Sequence, residues 1–323
     1  MIIVTGGAGF IGSAFVWKLN SEGVHDIVIV DELGQSDKWK NLVNRRYVEY
    51  IHKDIFLRMI RTEQVPFKPQ TIVHMGACSS TTERNADYLI DNNYHYTCRL
   101  AEWAIPNNIR FIYAGSAATY GDGSQGFSDE DSVTSGLRPI NMYGYSKQLF
   151  DLWVLRNKVE SKLVGLKFFN VFGPNEYHKE DMTSVVFKAF RQVRETDRVR
   201  LFKSCRAEYG DGEQMRDFVY IKDCVEIMWW LMEHPEVNGI FNLGTGRARK
   251  WNDLVNAVFS AMERKPRIEY FDMPPEVHDQ YQYFTEAKMD KLRATGCPVA
   301  FRPLEEAIHD YVVNHLQHTD PYL

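Results

Sequence analysis

Long apolar runs are missing from this 323-residue chain. The first one, Met1–Thr5, is broken by Gly6 and Gly7, far short of the roughly 20 residues that a membrane helix needs. The opening segment also lacks the basic leader, apolar middle and cleavage site of a secretory signal. The expected compartment is therefore the cytoplasm, with no membrane partner. Cysteine is scarce: Cys78, Cys98, Cys205, Cys224 and Cys297 are odd in number and contain no C-x-x-C pair, which points to neither a disulfide framework nor a zinc site. No metal is expected. A charge excess is lacking too, because 38 Lys and Arg against 43 Asp and Glu leave a net −5, and that disfavours wrapping of nucleic acid. Internal repeats, low-complexity tracts and flexible linkers are also absent. What remains is 44% hydrophobic and 25% charged, the composition of an ordinary globular protein, with a length that suits one large domain or two fused lobes.

From Met1 to Phe169, short aliphatic runs alternate with longer amphipathic stretches, the βαβ rhythm of a parallel sheet covered by helices. The strand candidates are Ile2–Thr5, Ile27–Val30, Thr71–Met75, Arg110–Ala114 and Leu163–Phe169. After Asn170 the rhythm loosens. Loops are expected at Gly173–Asp181 and Ser204–Gln214, strands at Gly239–Leu243 and Ile268–Phe271, and a helix at Trp251–Arg264. The fold class is therefore α/β: a Rossmann-type doubly wound parallel sheet with a smaller C-terminal α/β substrate lobe. Residues 1–169 are expected to form the dinucleotide-binding domain. Residues 170–323 are expected to form mainly the substrate-binding lobe, with some segments returning to the first domain.

The first strand runs into Gly6-Gly7-Ala8-Gly9-Phe10-Ile11-Gly12 and then a helical stretch. Glycines at 6, 9 and 12 permit a sharp turn, close approach of a pyrophosphate to the main chain, and tight packing of helix on sheet. The phosphates then sit at the positive end of that helix. The second strand ends in Asp31-Glu32, about 20 residues on, where an acid grips the adenosine ribose. A carboxylate there repels a 2′-phosphate and favours NAD, whereas Lys38 nearby would neutralise one, so the residues leave both cofactors open.

Tyr143-Gly144-Tyr145-Ser146-Lys147 sets a phenol and an ammonium four residues apart, on one face of a helix. A neighbouring cation is expected to lower the phenol's pKa and make Tyr143 a proton shuttle, while Lys147 also holds the nicotinamide ribose. Of the seventeen tyrosines only Tyr143 has a lysine four positions on. Phe111–Gly121 reads as a strand opening into a small-residue loop at its carboxyl end, where Ser116 is placed to bond the reacting hydroxyl.

Glycine turn, acid, serine loop and Tyr-x-x-x-Lys in this order resemble the extended short-chain dehydrogenases that act on nucleotide sugars. HMGACSSTTE, SAATYG, NMYGYSK, FFNVFGPNEYHK, RDFVYIKD and YQYFTEA are similar to segments of the ADP-L-glycero-D-manno-heptose 6-epimerase family within that group. The two most diagnostic pieces are Gly76–Glu83 and Asn175–Lys179. The resemblance implies an isomerase that oxidises carbon 6 of an ADP-heptose and returns the hydride to the opposite face. It further implies catalytic roles for Tyr143, Lys147, Ser116 and Lys179, the last as a second base across the site. By the same resemblance NADP, or NAD in its place, is lined by Gly6, Gly9, Phe10, Ile11, Gly12, Asp31, Glu32, Lys38, Lys53, Met75, Gly76, Ala77, Cys78, Ser79, Asn92, Lys147, Val171 and Lys179. Asn170, Asp181, Lys188, Phe202, Arg216 and Tyr281, with Ser116, match substrate-contacting positions. Arg216 has an argument of its own, since a guanidinium beside the strand-like Asp217–Ile221 suits a diphosphate. A homo-oligomer, often a pentamer, and a place in lipopolysaccharide inner-core synthesis are further implications.

Three departures from that family stand out: a longer Ser204–Gln214 loop, the residue types at Asp181 and Lys188, and extra residues between Ser116 and Tyr143 that are expected to form a surface excursion. Two other readings stay open. A UDP-hexose 4-epimerase uses the same Ser116, Tyr143 and Lys147 but has no need of Lys179, and a non-catalytic dinucleotide-binding sensor needs no such pair. A dehydratase is disfavoured because no Asp-Glu pair occurs at Ala117–Thr119.

Overall fold

The computed structural model describes residues 1–274 and 281–323. Its main sheet is built from β1 (Ile2–Thr5), β2 (Ile27–Asp31), β3 (Glu49–His52), β4 (Thr71–His74), β5 (Arg110–Ser116), β6 (Leu163–Phe168) and, much later in the chain, β10 (Gly239–Leu243). The order across the sheet is β3-β2-β1-β4-β5-β6-β10, and every neighbouring pair is parallel. β1, β2, β4 and β6 are buried at every position, which explains their unbroken apolar runs: a parallel sheet is covered by helices on both faces. Alternate residues feed opposite layers. Ile2, Val4, Ile27 and Ile29 join one core, while Ile3, Val28 and Val30 join the other with Phe56 and Phe111.

The chain reverses its direction of winding between β1 and β4. At that switch point the carboxyl ends of two strands leave a crevice, and into it run the glycine turn before α1 (Phe10–Ser21) and the segment Met75–Ser79 after β4. Three more helices of this half are α2 (Lys53–Arg61), α3 (Ala86–Leu89) and α4 (Tyr96–Ala104), and a fourth, α5 (Met142–Arg156), carries the tyrosine–lysine pair. β10 lies beyond residue 169 yet closes the edge of the large sheet beside β6, so this sheet draws on both halves of the chain.

The smaller lobe holds two further sheets. β7 (Asn170–Phe172) pairs in parallel with β9 (Met215–Tyr220), which pairs antiparallel with β11 (Ala248–Lys250). β8 (Val199–Phe202) pairs with β12 (Ile268–Phe271). α6 (Val185–Thr196) and α8 (Trp251–Ala261) pack against each other in this lobe, whereas α7 (Ile221–Glu233) packs on α1 and so covers the large sheet. The α/β class and doubly wound sheet read from the sequence are borne out.

One strand was not anticipated, and one local expectation needs correction. Glu49–His52 was not foreseen as a strand; it sits at the sheet edge with only Ile51 buried, so it lacks the apolar run that marks its neighbours. The segment between Ser116 and Tyr143 is not simply a surface excursion. Phe127 and Asp129 are buried, and the Asn242 amide N–H of β10 donates to Asp129 Oδ2 at 2.7 Å while its side chain donates to the Phe127 carbonyl at 2.8 Å. Those bonds pin the excursion under the sheet edge.

Candidate active site

The glycine turn is shaped by contacts that leave no room for side chains. Gly6 has φ +64°, and a Cβ there would lie 2.6 Å from the backbone of Gly76. A Cβ on Gly12 would lie 2.1 Å from the Gly6 carbonyl oxygen, so helix and turn interlock only because both residues are glycine. Asp31, buried at the end of β2, braces this turn: its Oδ2 accepts from the Ala8 N–H at 2.8 Å and its Oδ1 takes Lys38 Nζ at 2.7 Å. Next to it Lys53 Nζ reaches Glu32 at 2.6 Å and Asn92 Oδ1 at 2.9 Å. Two carboxylates and two lysines thus line one end of the crevice, together with Cys78, Tyr88 and Tyr96.

A connected cleft of about 420 Å³ brings the chemistry together: Gly6, Gly9 and Phe10 from the turn, Met75–Ser80 after β4, Tyr143 and Lys147 from α5, and His178, Lys179 and Met182 from the smaller lobe. Residues assigned from widely separated motifs therefore meet on one surface. The Ser116 side chain neighbours the Tyr143 phenol and opposes the effect of burial on it. Lys147 donates from Nζ to the Ala114 carbonyl at 2.9 Å. Burial dominates both groups, pushing the Tyr143 phenol up and the Lys147 ammonium down to about 8. The expected lowering of the phenol by its lysine neighbour is thus not what the structure gives, because the Ser116 side chain is what opposes the burial of Tyr143 and the ammonium is spent on Ala114.

Lys179 approaches from the other lobe, its Nζ 5.4 Å from the centre of the Phe10 ring. Burial lowers its pKa, while nearby Glu176 opposes the shift. The segment that carries it is anchored by residues that motif spacing could not single out. Asn175 is wholly buried at φ +77°, donates to Ser13 Oγ of α1 at 3.0 Å and accepts from the Leu323 N–H at 3.0 Å. Glu176, also buried, accepts from the Ser184 hydroxyl at 2.7 Å and from the Tyr311 hydroxyl at 3.0 Å. Asn41 ties the ensemble together, donating to the carbonyls of Ala8 at 2.9 Å and Asn175 at 3.1 Å and lying 3.3 Å from His178 Nδ1. Burial keeps that imidazole neutral, with its pKa at about 4.

The substrate positions divide into two groups. Arg216 is buried, donates to the Met215 carbonyl at 2.9 Å and to the Gln282 carbonyl, and lies 5.3 Å from the Tyr281 ring centre and 5.9 Å from that of Trp251. No carboxylate pairs with it among the described residues. Phe202 packs edge-on against Tyr281 at 6.3 Å. Asn170, Asp181 and Lys188 are exposed; Lys188 Nζ donates to the Asp181 carbonyl at 2.6 Å, and Asn170 pairs with Phe218 of the strand that carries Arg216. Val171 is half-buried in β7, paired with Val219. Of the long Ser204–Gln214 loop, Arg206 and Tyr209 share a smaller hollow with Tyr281 and Tyr283.

An open parallel sheet with a glycine cradle at its switch point, facing a Tyr-x-x-x-Lys helix, is the arrangement of a dinucleotide-dependent enzyme. The chain belongs to the NAD dependent epimerase/dehydratase family, which it matches over residues 2–244, and it uses a nicotinamide dinucleotide as that family does. Within the family it is 59% identical, over the whole of both chains, to the ADP-L-glycero-D-manno-heptose-6-epimerase of Nitratidesulfovibrio vulgaris strain DP4. It is 47% identical to the enzyme of that name from Fusobacterium nucleatum, again over the whole of both. The crystal structure of the Helicobacter pylori ADP-L-glycero-D-manno-heptose-6-epimerase matches 97% of this chain and 95% of its own with a TM-score of 0.81 at 28% identity. The heptose-epimerase resemblance carried by Gly76–Glu83 and Asn175–Lys179 is thereby borne out.

Proposed function

We infer that this chain interconverts ADP-D-glycero-D-manno-heptose and ADP-L-glycero-D-manno-heptose through transient oxidation at carbon 6. Full-length likeness to heptose epimerases supports the substrate. The observation that carries the mechanism is that Tyr143 and Lys179, from different lobes, line one cleft. One fixed group cannot move a proton on both faces of a carbinol, so inversion at a side-chain carbon calls for two. Tyr143, beside Ser116, serves one epimer. Lys179, made less basic by burial, serves the other. Ser116 orients the reacting hydroxyl, and Arg216, lacking a carboxylate partner among the described residues, holds the diphosphate.

NADP fits the residues present. A Cβ at Gly6 or Gly12 would collide with neighbouring backbone, so the turn stays bare, as close passage of a pyrophosphate requires, and Lys38 and Lys53 offset Asp31 and Glu32 where a 2′-phosphate would lie. When bound, the cofactor supplies a nicotinamide that accepts and returns hydride. Lys147 holds its ribose. The enzyme is further proposed to be a cytoplasmic homo-oligomer, supported by exposed Trp39, Val43, Tyr47 and Val48 around one shallow surface. No helix among the described residues is long and apolar enough to cross a membrane.

Purified protein incubated with one ADP-heptose epimer is expected to yield the mixture, resolved by NMR. Lys179→Ala is expected to abolish interconversion while the protein keeps its cofactor; unchanged turnover would remove the two-base reading. Conversion of UDP-glucose instead of ADP-heptose would favour a 4-epimerase.

A further inference from the structure

The helix that carries Tyr143 and Lys147 presents a third residue in the same register. Asp151 follows Lys147 by four positions, as Lys147 follows Tyr143, so the three lie along one stripe of α5. Asp151 is 0% exposed. Two side chains from the sheet hold it there: the Tyr113 hydroxyl of β5 donates to Oδ1 at 2.8 Å, and Lys167 Nζ of β6 lies 3.2 Å from Oδ2. Lys167, 1% exposed, also donates to Thr119 Oγ1 at 3.2 Å and sits 4.8 Å from the Tyr120 ring centre. An ion pair this deep adds little net stability over apolar residues of similar volume, so its position under the catalytic helix calls for another explanation.

Lys147 supplies one. It is 5% exposed, and the hydrogen bond from its ammonium goes to a neutral carbonyl, that of Ala114. Burial works against its charge, and Asp151 is the foremost group acting in its favour, followed by Cys78. His74 of β4 also feels this ammonium and is kept neutral by burial and by Lys147, and Tyr143 of the same helix lines the cleft with it. Asp151 is the carboxylate of that set.

We propose that Asp151 is a positioning residue for the reaction: clamped by Tyr113 and Lys167, its carboxylate keeps Lys147 an ammonium ion, seated on the Ala114 carbonyl one turn from Tyr143. The proposal rests on the reading of Tyr143 and Lys147 as the catalytic pair, and the test separates the two. The dependence of kcat and KM on pH, from about pH 6 to about pH 9.5, is measured for the parent, Asp151→Asn, Lys167→Met and the double variant, with Tyr143→Phe as reference. The double variant removes both buried charges and so leaves no unpaired ammonium to unfold the protein; it decides the matter if Asp151→Asn alone does not fold.

Loss of Asp151 is expected to move the alkaline limb of kcat down by about one pH unit, a roughly tenfold loss of rate on that limb, with KM changed less than about twofold. Lys167→Met, which spares the carboxylate, is expected to leave the limb at or above the parent's. Parental pH profiles in both Asp151 variants would overturn the proposal, and so would an equal downward shift in Lys167→Met, since that would mark a packing effect. Full rate in Tyr143→Phe would overturn the catalytic pair itself and the proposal with it, whereas an inactive Tyr143→Phe beside unshifted Asp151 variants would leave the pair standing and remove only Asp151.

Discussion

Tyr143 is a phenol whose burial pushes its pKa up, so at neutral pH it rests protonated and is set to donate, with Ser116 beside it. Replacing it with Phe removes the proton and leaves the ring in place. Tyr143→Phe is therefore expected to lower kcat by at least about a hundredfold with an unchanged melting temperature, checked by steady-state epimerisation and circular dichroism. Full rate in that variant would show that the proton moves elsewhere. Lys38 poses a different question. Its ammonium neutralises Asp31 at 2.7 Å, and its removal leaves a carboxylate facing any 2′-phosphate. Lys38→Ala is expected to weaken NADP binding about tenfold or more while NAD binding holds or improves, measured by calorimetry on cofactor-free protein. Equal losses for the two cofactors would mean that Lys38 does not read the phosphate.

At the level of elements, the junction of β1, the glycine turn and α1 depends on two missing Cβ atoms. Gly12→Ala sets a methyl 2.1 Å from the Gly6 carbonyl oxygen, and the turn must shift to accept it, at a cost of about 1–3 kcal/mol. The expected result is protein that purifies with less bound cofactor, seen in the ratio of absorbance near the nicotinamide and protein bands, and that melts earlier. Normal cofactor content would show that the interlock is not required. These elements were legible in the sequence because the signals are local. The strand, the glycines and the helix follow one another without interruption, and four-residue spacing is enough to set Tyr143 beside Lys147. The segment holding Lys179 was legible only by likeness to relatives. Asn175, Glu176 and Asn41 fix it through partners far along the chain, Asn175 with Ser13 for one, and no spacing rule reaches so far.

Across the whole molecule, the cleft forms where two lobes meet, and the lobes are not successive halves of the chain. β10 returns to the large sheet after β7, β8 and β9 have gone to the small ones, so neither lobe is an independent unit. A separate feature of the whole is the exposed apolar surface of Trp39, Val43, Tyr47 and Val48, which are 49%, 64%, 37% and 61% exposed. It adjoins the edge strand β3, and sheet edges and apolar patches are where copies associate. If copies associate through this face as proposed, Val43→Asp with Val48→Asp is expected to shift the mass toward that of the monomer by light scattering after gel filtration. An unchanged mass would place the subunit contact on another face.

The sequence by itself determined the α/β class, the order of turn, acid and catalytic pair, and the family, because each rests on neighbours within a few turns of chain or on the alternation of apolar and polar residues. Only the tertiary structure decided which groups share an environment: that Asp31 braces the glycine turn, that burial rather than Lys147 governs the Tyr143 phenol, and that Asp151 lies buried beneath the pair. The reason is physical. Desolvation and long-range hydrogen bonds depend on the distance between atoms in space, and the linear order of residues does not contain that distance.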